Sequence, residues 1–306
     1  MSTLTYPEAI GVGLLQGVTE LFPVSSLGHS ILLPALIGGK IQHDLDMTAE
    51  GSSYLAALVA LHLATALALV VYFWNDWVRI VGGLLSSIRH RRVESRNEKL
   101  AWLLILSTIP VGVAGLVLEK ALRNALGKPV PAAVFLALNG LVLLGAERLK
   151  RGGTGRRRAT GHAAPVDGPG LDPAVASDQR LTRLGYGQGA WIGAAQILAL
   201  FPGISRSGVT MSAGILRGLH HEDAARFSFL LATPVILAAS VLKVPELFKP
   251  ENSAVLGPVA AGSIAAFVAG YVSVRFLTKY FETRSLTPFA VYCFLAGVGS
   301  AVYLSV

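Results

Sequence analysis

Uncharged, mostly apolar stretches long enough to cross a hydrocarbon core recur along this chain. Uncharged segments run from Tyr54 to Trp74, Leu100 to Leu118, Val130 to Ala146, Phe227 to Leu242, Ser253 to Val274 and Leu286 to Val306. A helix needs about 20 residues to cross a hydrocarbon core, and a helix that is apolar all round is typical of a membrane span. The pattern therefore predicts an all-α polytopic membrane protein with about six transmembrane helices.

Two polar loops, Leu21–Ser30 and Leu200–Thr210, interrupt apolar segments. Both begin with Leu-Phe-Pro, both follow an apolar segment that contains a Gln, and both continue through Ser and Gly into a second apolar segment. This shared order indicates an internal duplication. In membrane proteins such repeats are often inverted and meet through broken helices, and an odd number of crossings before the second copy would invert it.

Each loop carries residues that break a helix. Pro23 and Pro202 remove a backbone donor, and irregular backbone at membrane depth is tolerated only where protein buries it or it lines a wet cavity. Neither arm beside a loop is long enough to be a secure span. We therefore predict two re-entrant helical hairpins, over residues 8–37 and 187–218, whose tips face each other.

Composition supports a membrane protein and divides the chain into halves. Only 14% of residues are charged and 53% are hydrophobic, against about 25% charged in a soluble domain. Residues 1–150 form the predicted first half and 184–306 the second. The segment between them, 151–183, is rich in Gly, Pro, Ala and Arg over Arg151–Asp178, which predicts a flexible cytoplasmic linker that the chemistry does not need.

The net charge of +8 is placed for membrane topology. One basic cluster comprises Arg89, Arg91, Arg92, Arg96 and Lys99, and a second runs from Arg148 to Arg183. The two spans between them return both clusters to one face, as the positive-inside rule expects of cytoplasmic loops. Contacts with membrane lipids rather than nucleic acid are therefore predicted.

Two features of the chain bear on processing and thiol chemistry. No Lys or Arg precedes Lys40, so we expect no secretory signal peptide and expect the first apolar stretch to remain in the mature protein. The single cysteine, Cys293, excludes an internal disulfide and a site of several thiolates, and we expect it to be a small apolar packing residue.

The first loop holds candidate chemistry. Gln16 and Glu20 are four residues apart and share a helix face, and Ser26 and His29 follow in the same hairpin. A carboxylate at membrane depth costs about 2.5–3.5 kcal/mol, so Glu20 must pair, bind a ligand or contact water. A lone His at a helix start is as readily a satisfied polar residue as a catalytic one.

The second loop predicts a phosphate clamp. Arg206 offers a planar fork that matches phosphate oxygens, and Ser205, Ser207 and Thr210 add hydroxyl donors at a helix start. Helix capping is the alternative for these hydroxyls. A structural ion pair between Glu20 and Arg206 is a second alternative, but it leaves His29 and the nearby hydroxyls unexplained.

The loops together contain the parts that phosphoester or pyrophosphate hydrolysis requires. Glu20, Ser26, His29 and Arg206 form the predicted catalytic set, and whether Ser26 or His29 is the nucleophile stays open. The predicted phosphate-binding residues are Ser25, Ser205, Arg206, Ser207 and Thr210. A divalent cation, Mg²⁺ or Ca²⁺, would bind Glu20 and possibly Gln16 together with substrate oxygens.

These motifs resemble the bacterial undecaprenyl-diphosphate phosphatase family, also called the bacitracin-resistance protein family. The resemblance rests on Gln16–Glu20, on Pro23–His29 and on Pro202–Thr210, in that order and about 180 residues apart. It implies hydrolysis of C55 polyprenyl diphosphate to the monophosphate that carries cell-wall precursors in peptidoglycan synthesis. It also implies a divalent metal and a site on the outer face of the bacterial plasma membrane.

The chain departs from the family pattern at a few positions. Gln16 stands where many members carry Glu, which puts a metal role there in doubt, and Leu27 stands where Thr is common. The central linker is longer and more basic than the family leads us to expect. None of these differences removes a residue of the predicted catalytic set.

Two other functions share features with this sequence. The type 2 phosphatidic acid phosphatase superfamily also uses Gly-His and Ser-Arg elements, but its Lys-x6-Arg-Pro element and its His after the Ser-Arg are missing, since Met211-Ser212-Ala213 follows Thr210. A transporter or flippase of polyprenyl phosphate or of an ion remains the alternative, because inverted repeats with broken helices are also a transporter architecture. A homodimer is left open.

The other polar candidates carry weaker expectations. His62 is expected to be an interior helix residue that could also line the cleft. Glu222 and Asp223 follow two histidines at a helix start, where acidic side chains favour the helix dipole, and no metal site is predicted there.

Overall fold

A computed structural model of the chain describes residues 4–45, 53–157, 173–248 and 250–306. In these ranges the helices are α1 (Tyr6–Thr19), α2 (Ser26–Ile37), α3 (Gly39–Asp44), α4 (Ser53–Tyr72), α5 (Trp74–His90), α6 (Arg96–Leu126), α7 (Pro129–Arg157), α8 (Pro173–Leu181), α9 (Tyr186–Ala195), α10 (Arg206–Leu216), α11 (His221–Leu247), α12 (Leu256–Thr283) and α13 (Thr287–Ser305). Short 3-10 helices cover Gln196–Leu200 and Pro250–Val255. The described ranges contain no strand, and the predicted all-α class is confirmed.

Long apolar helices make this a polytopic membrane protein, as predicted. Five helical segments in the described part of the chain are long and apolar enough to cross a bilayer: Arg96–Leu118, Pro129–Arg151, His221–Pro245, Asn252–Thr283 and Thr287–Ser305. The pair α4 and α5, bent by 85° at its break, gives a sixth candidate. The prediction of about six spans is therefore confirmed.

Each polar loop lies between two helices. α1 and α2 flank the first polar loop, and α9 and α10 flank the second. The spans of α4, α6 and α7 lie between the two hairpins. Three is an odd number of crossings, which is the condition under which the second half is inverted relative to the first.

Helices of the first half pack on helices of the second half. α1 packs on α12 as α9 packs on α6, and α4 packs on α12 as α11 packs on α6. α7 pairs with α13, and α4 with α11. Suppose that the first-half helices α1, α4, α6 and α7 correspond, in this order, to α9, α11, α12 and α13. Exchanging corresponding helices then turns each of these contacts into another contact of the set or leaves it unchanged. A two-fold internal repeat produces this pattern.

Small residues allow the first arm of each hairpin to approach a long helix. Gly13 and Gly17 on α1 lie against the backbone of α12 near Gly262 and Ala266, so closely that a side chain would collide. On α9, Gly193 lies in the same way against the backbone of Ser107. Glycines four residues apart are typical of close helix packing in membranes, and glycine allows the close approach on the first arm of both hairpins.

Part of the predicted flexible linker is helical. α7 continues to Arg157, and α8 occupies Pro173–Leu181. Asp178 on α8 accepts a hydrogen bond from Arg226 at 2.8 Å, and Ser177 donates one to Asp223 at 2.7 Å. The expectation of a flexible segment is therefore wrong for α8, because its polar side chains have buried partners on α11. Residues 158–172 lie outside the described residues.

Candidate active site

The first polar loop is shaped by a proline and a serine cap. α1 ends at Thr19, the chain turns through Pro23, and α2 begins at Ser26. Ser25 has a φ of 70°, a conformation that costs a non-glycine residue about 1–3 kcal/mol. Its hydroxyl accepts a hydrogen bond from the amide of Gly28 at 3.2 Å. Ser25, predicted to bind phosphate, is thus the N-cap that sets the direction of α2.

The second loop repeats this construction. Gly203, with a φ of 108°, turns the chain after Pro202, and Ser205 caps α10 by accepting from the amide of Gly208 at 3.1 Å. The hydroxyl of Thr210 donates to the carbonyl of Arg206 at 2.7 Å. Ser205 and Thr210, both predicted to bind phosphate, therefore have structural partners here, as the capping alternative anticipated for Ser205.

The two loops meet backbone to backbone. A β-carbon placed on Gly28 would lie 2.9 Å from Cα of Gly203, so the loops can approach this closely because residue 28 has no side chain. A β-carbon on Gly203 would instead meet α7, 2.3 Å from the carbonyl oxygen of Ala132. The hydroxyl of Ser207 donates across the contact to the carbonyl of Phe22 at 3.1 Å. The candidate site is therefore formed jointly by the two halves of the chain.

Glu20 lies at the centre of the site, with 6% of its side chain exposed. Oε1 accepts a bond from Nη2 of Arg206 at 2.6 Å. Oε2 accepts a bond from Nε2 of Gln16 at 3.0 Å and a short bond from the hydroxyl of Ser26. A carboxylate removed from water is stable only when paired and fully hydrogen-bonded. Three of its donors were predicted site residues, and the structure brings them together.

His62 on α4 is a member of this site that sequence reasoning left outside the candidate set. Its Nε2 lies 3.3 Å from Oε2 of Glu20, and its Nδ1 lies 2.7 Å from the carbonyl of Leu58. Both ring nitrogens face oxygen acceptors, an arrangement that favours the doubly protonated ring. The available signal was a lone ionisable residue in an apolar span, which is functional by default.

The ring nitrogens of His29 have partners other than the carboxylate of Glu20. Its Nδ1 lies 2.8 Å from the carbonyl of Ser25 and must donate there, so its Nε2 accepts a bond from the hydroxyl of Tyr292 at 2.7 Å. The two rings also stack with centroids 5.7 Å apart. Both nitrogens of His29 are thus occupied, whereas the hydroxyl of Ser26 is directed at Glu20. Tyr292, on the last helix, was missed from the sequence.

Asn139 on α7 ties the two loops together and was also missed. Its Nδ2 donates to the carbonyl of Pro23 at 3.0 Å, and its Oδ1 accepts from the amide of Ser205 at 3.0 Å. Asn139 is fully buried, beside the equally buried Cys293, whose Sγ lies 3.4 Å from Nδ2. Cys293 is a buried packing residue, as expected.

Few oxygen atoms in the site could act as ligands of a divalent cation. Within the described residues, no three His, Cys, Asp or Glu side chains come close enough together to hold a metal ion. The carboxylate of Glu20 and Oε1 of Gln16 remain, and that buried amide oxygen has no hydrogen-bond partner. Two hard oxygen donors with substrate oxygens completing the shell suit Mg²⁺ or Ca²⁺. The residues fit a cation that is shared with the substrate.

Comparison with known proteins identifies the family of this chain. Residues 9–299 match the family model described as bacitracin resistance protein BacA. The chain is 58% identical to proteins named undecaprenyl-diphosphatase from Mycolicibacterium paratuberculosis and from Mycobacterium avium, in each case over 99% of this chain and 98% of the relative. It is 49% identical to undecaprenyl-diphosphatase 2 of Frankia alni, over 97% of both chains. The chain therefore belongs to the BacA bacitracin resistance protein family.

Proposed function

We propose that this chain is an integral membrane undecaprenyl-diphosphatase of the bacterial plasma membrane. It hydrolyses the C55 polyprenyl diphosphate to the monophosphate and phosphate, which recycles the lipid carrier of peptidoglycan synthesis and confers bacitracin resistance. The observation that carries this proposal is the Ser26–Glu20–Arg206 chain of hydrogen bonds across the two loops. In the proposed roles, Ser26 supplies the nucleophilic hydroxyl, Glu20 accepts its proton and the guanidinium of Arg206 binds phosphate.

Substrate binding places a highly charged head group beside two cationic side chains. The isoprenoid tail lies along apolar helices, and the diphosphate enters the cleft between the two loops. Arg206 and His62 both contact Glu20, so one anion is shared by two cations and the site keeps positive charge for a phosphate. Arg206 is the stronger phosphate ligand because its planar fork binds two oxygens at once. Ser207 adds a hydroxyl beside it.

The chemical step follows from the direction of the Ser26 hydroxyl. Its oxygen attacks the terminal phosphorus while its proton passes to Oε2 of Glu20, to which it already donates. The bond between the terminal phosphorus and the bridging oxygen breaks, Glu20 passes the proton to that oxygen, and the polyprenyl monophosphate leaves with Glu20 ionised again. Water then attacks the phosphoserine with Glu20 as the base, which releases phosphate and returns the proton to Ser26. This assigns Ser26 rather than His29 as the nucleophile.

His29, Tyr292 and Asn139 act by positioning. Tyr292 fixes the ring of His29 against the start of α2, where Ser26 lies, and Asn139 fixes the separation of the loops. A divalent cation bound by Glu20 and Gln16 would neutralise charge on the diphosphate oxygens. We also propose that the site opens to the extracytoplasmic face, opposite the basic linkers that the positive-inside rule assigns to the cytoplasm.

The decisive experiment is phosphate release from C55 polyprenyl diphosphate by the purified protein in detergent. Wild-type protein should release one phosphate per lipid, and Ser26→Ala should release none while eluting as a folded species. A brief reaction stopped with acid should leave phosphate on Ser26 of the wild-type chain. Movement of polyprenyl phosphate across sealed vesicles without phosphate release would instead support the transporter alternative.

A further inference from the structure

Helix α5, Trp74–His90, presents three distinct faces. One line, comprising Asp76, Ile80, Gly83 and Ser87, is buried against the protein. A second line consists of exposed apolar residues, namely Trp74, Val78, Val81, Leu85 and Ile88. Both lines repeat every three or four residues, the period of one helix face, and they lie on nearly opposite sides. A polar arc between them carries Asn75, Arg79, Gly82, Ser86 and Arg89.

The path of the chain places α5 parallel to the membrane plane. α4 has 20 residues, so at about 1.5 Å per residue it spans a hydrocarbon core of about 30 Å by itself. α5 then departs from that direction by 85°. A helix at right angles to a complete span, joined to its end, runs along the bilayer surface.

Contacts with α6 fix the depth of α5. The hydroxyl of Ser86 donates to Glu98 at 2.9 Å, and Nε1 of Trp102 donates to the hydroxyl of Ser87 at 2.9 Å. Glu98 and Trp102 lie in the first two turns of α6, where this helix enters the membrane. α5 is therefore held at the level of the membrane boundary and is kept out of the bilayer centre.

A cationic cluster follows the apolar line directly. Arg89, Arg91 and Arg92 are exposed at the end of α5, on the face that the positive-inside rule assigns to the cytoplasm. Arg92 lies 3.6 Å from Glu94 in an ion pair whose two side chains are largely exposed, and such a pair is weak. An apolar line beside exposed arginines matches the acyl boundary and the anionic head groups of a bilayer.

We propose that α5 is an in-plane membrane-binding helix with a preference for anionic lipids of the cytoplasmic leaflet. Trp74, Val78, Val81, Leu85 and Ile88 lie in the boundary between head groups and acyl chains, and the polar arc faces the cytoplasm. Arg89, Arg91 and Arg92 bind lipid phosphates. This lipid surface is separate from the catalytic site and goes beyond the proposed hydrolase activity.

Depth measurements test the orientation. Leu85→Cys and the matched control Gly82→Cys, which has open space at its β-carbon, are each spin-labelled in the full-length protein in vesicles of phosphatidylglycerol and phosphatidylcholine. Unsubstituted protein controls for labelling of the buried Cys293. The label at 85 should collide with oxygen and be shielded from a water-soluble nickel chelate, and the label at 82 should behave in the opposite way. Nickel access at both positions, or shielding of position 85 from both reagents as in a protein interface, would overturn the proposal.

Lipid selectivity tests the role of the arginines. A fluorophore at position 85 is quenched by brominated phosphatidylglycerol or by brominated phosphatidylcholine. The ratio of the two quenching efficiencies gives the relative association of the two lipids with this site. Each arginine near an anionic surface is worth about fivefold, so the triple variant R89Q/R91Q/R92Q should lower the preference for phosphatidylglycerol at least about fivefold. Lys128→Gln, at the other end of α6, should leave it unchanged. An unchanged preference in the triple variant, or an equal loss in Lys128→Gln, would refute the assignment.

Discussion

Asn139 is the side chain whose loss should separate the two loops of the site. We predict that Asn139→Leu, a change of similar volume, destabilises the protein and lowers its turnover together. Asn139 is fully buried and satisfies the carbonyl of Pro23 and the amide of Ser205. Leu fills the same space, so no room opens for a water molecule to replace the lost partners.

The size of the effect follows from those two backbone groups. A buried polar group left without a partner costs about 1–3 kcal/mol, so two of them cost about 2–6 kcal/mol. At about 2–4 °C per kcal/mol for a large domain, the denaturation midpoint should fall by at least about 4 °C. Movement of the loops by about 1 Å would reduce turnover about 100-fold, because Ser26 and Arg206 belong to different loops.

Thermal denaturation in detergent, followed by the loss of monodisperse protein, measures the first effect, and phosphate release at saturating lipid measures the second. Asn75→Leu makes the same substitution at an exposed position of α5 and should change neither quantity. A variant Asn139→Leu with the wild-type midpoint and the wild-type turnover would refute the reasoning, because the two loops would then keep their positions without the shared amide.

Five further variants, at four positions, test individual contacts. Arg206→Ala should abolish phosphate release while the protein still purifies, and Arg206→Lys should restore only part of it because the planar fork is lost; near-normal turnover of the alanine variant would remove Arg206 from the clamp. Gln16→Glu should retain activity and shift the dependence of the rate on added Mg²⁺ or Ca²⁺, and an unchanged metal titration would argue against a ligand at this position. His62→Gln keeps a donor to Glu20 without the charge, so KM should rise about fivefold or more with a smaller change in kcat; a pure kcat loss would contradict the charge argument. Tyr292→Phe keeps the ring stack and removes one hydrogen bond, so kcat should fall about tenfold, while a wild-type kcat would show that His29 holds its position alone.

The sequence was sufficient to predict the fold class and to predict that Glu20 and Arg206 each need a partner or a ligand. Uncharged runs of about 20 residues have one stable solution in a bilayer, because each helix satisfies its own backbone hydrogen bonds. Glu20 and Arg206 were each too costly at membrane depth to stand alone. That cost predicts a partner or a ligand, and the structure places the two side chains 2.6 Å apart. The repeated Leu-Phe-Pro also predicted that the surrounding loops are related.

The sequence could not separate helix caps from phosphate ligands. Ser, Thr and Gly at a helix start serve either purpose, and only the hydrogen bonds show that Ser25 and Ser205 hold their own helices. The linker was misjudged in the same way. α8 has no hydrophobic period, and its order depends on buried partners such as Arg226 that its own residues do not reveal.

Only the tertiary structure decided the remaining partners of the site. Tyr292 lies 263 residues from His29 along the chain, and Asn139 lies 116 residues from Pro23. Periodicity and spacing report on neighbours within one helix, whereas these contacts depend on which helices lie side by side. The sequence by itself determined that two polar loops in an apolar chain form a charged site. The packing of α4, α7 and α13 around them decided which side chains complete it, because those helices supply His62, Asn139 and Tyr292.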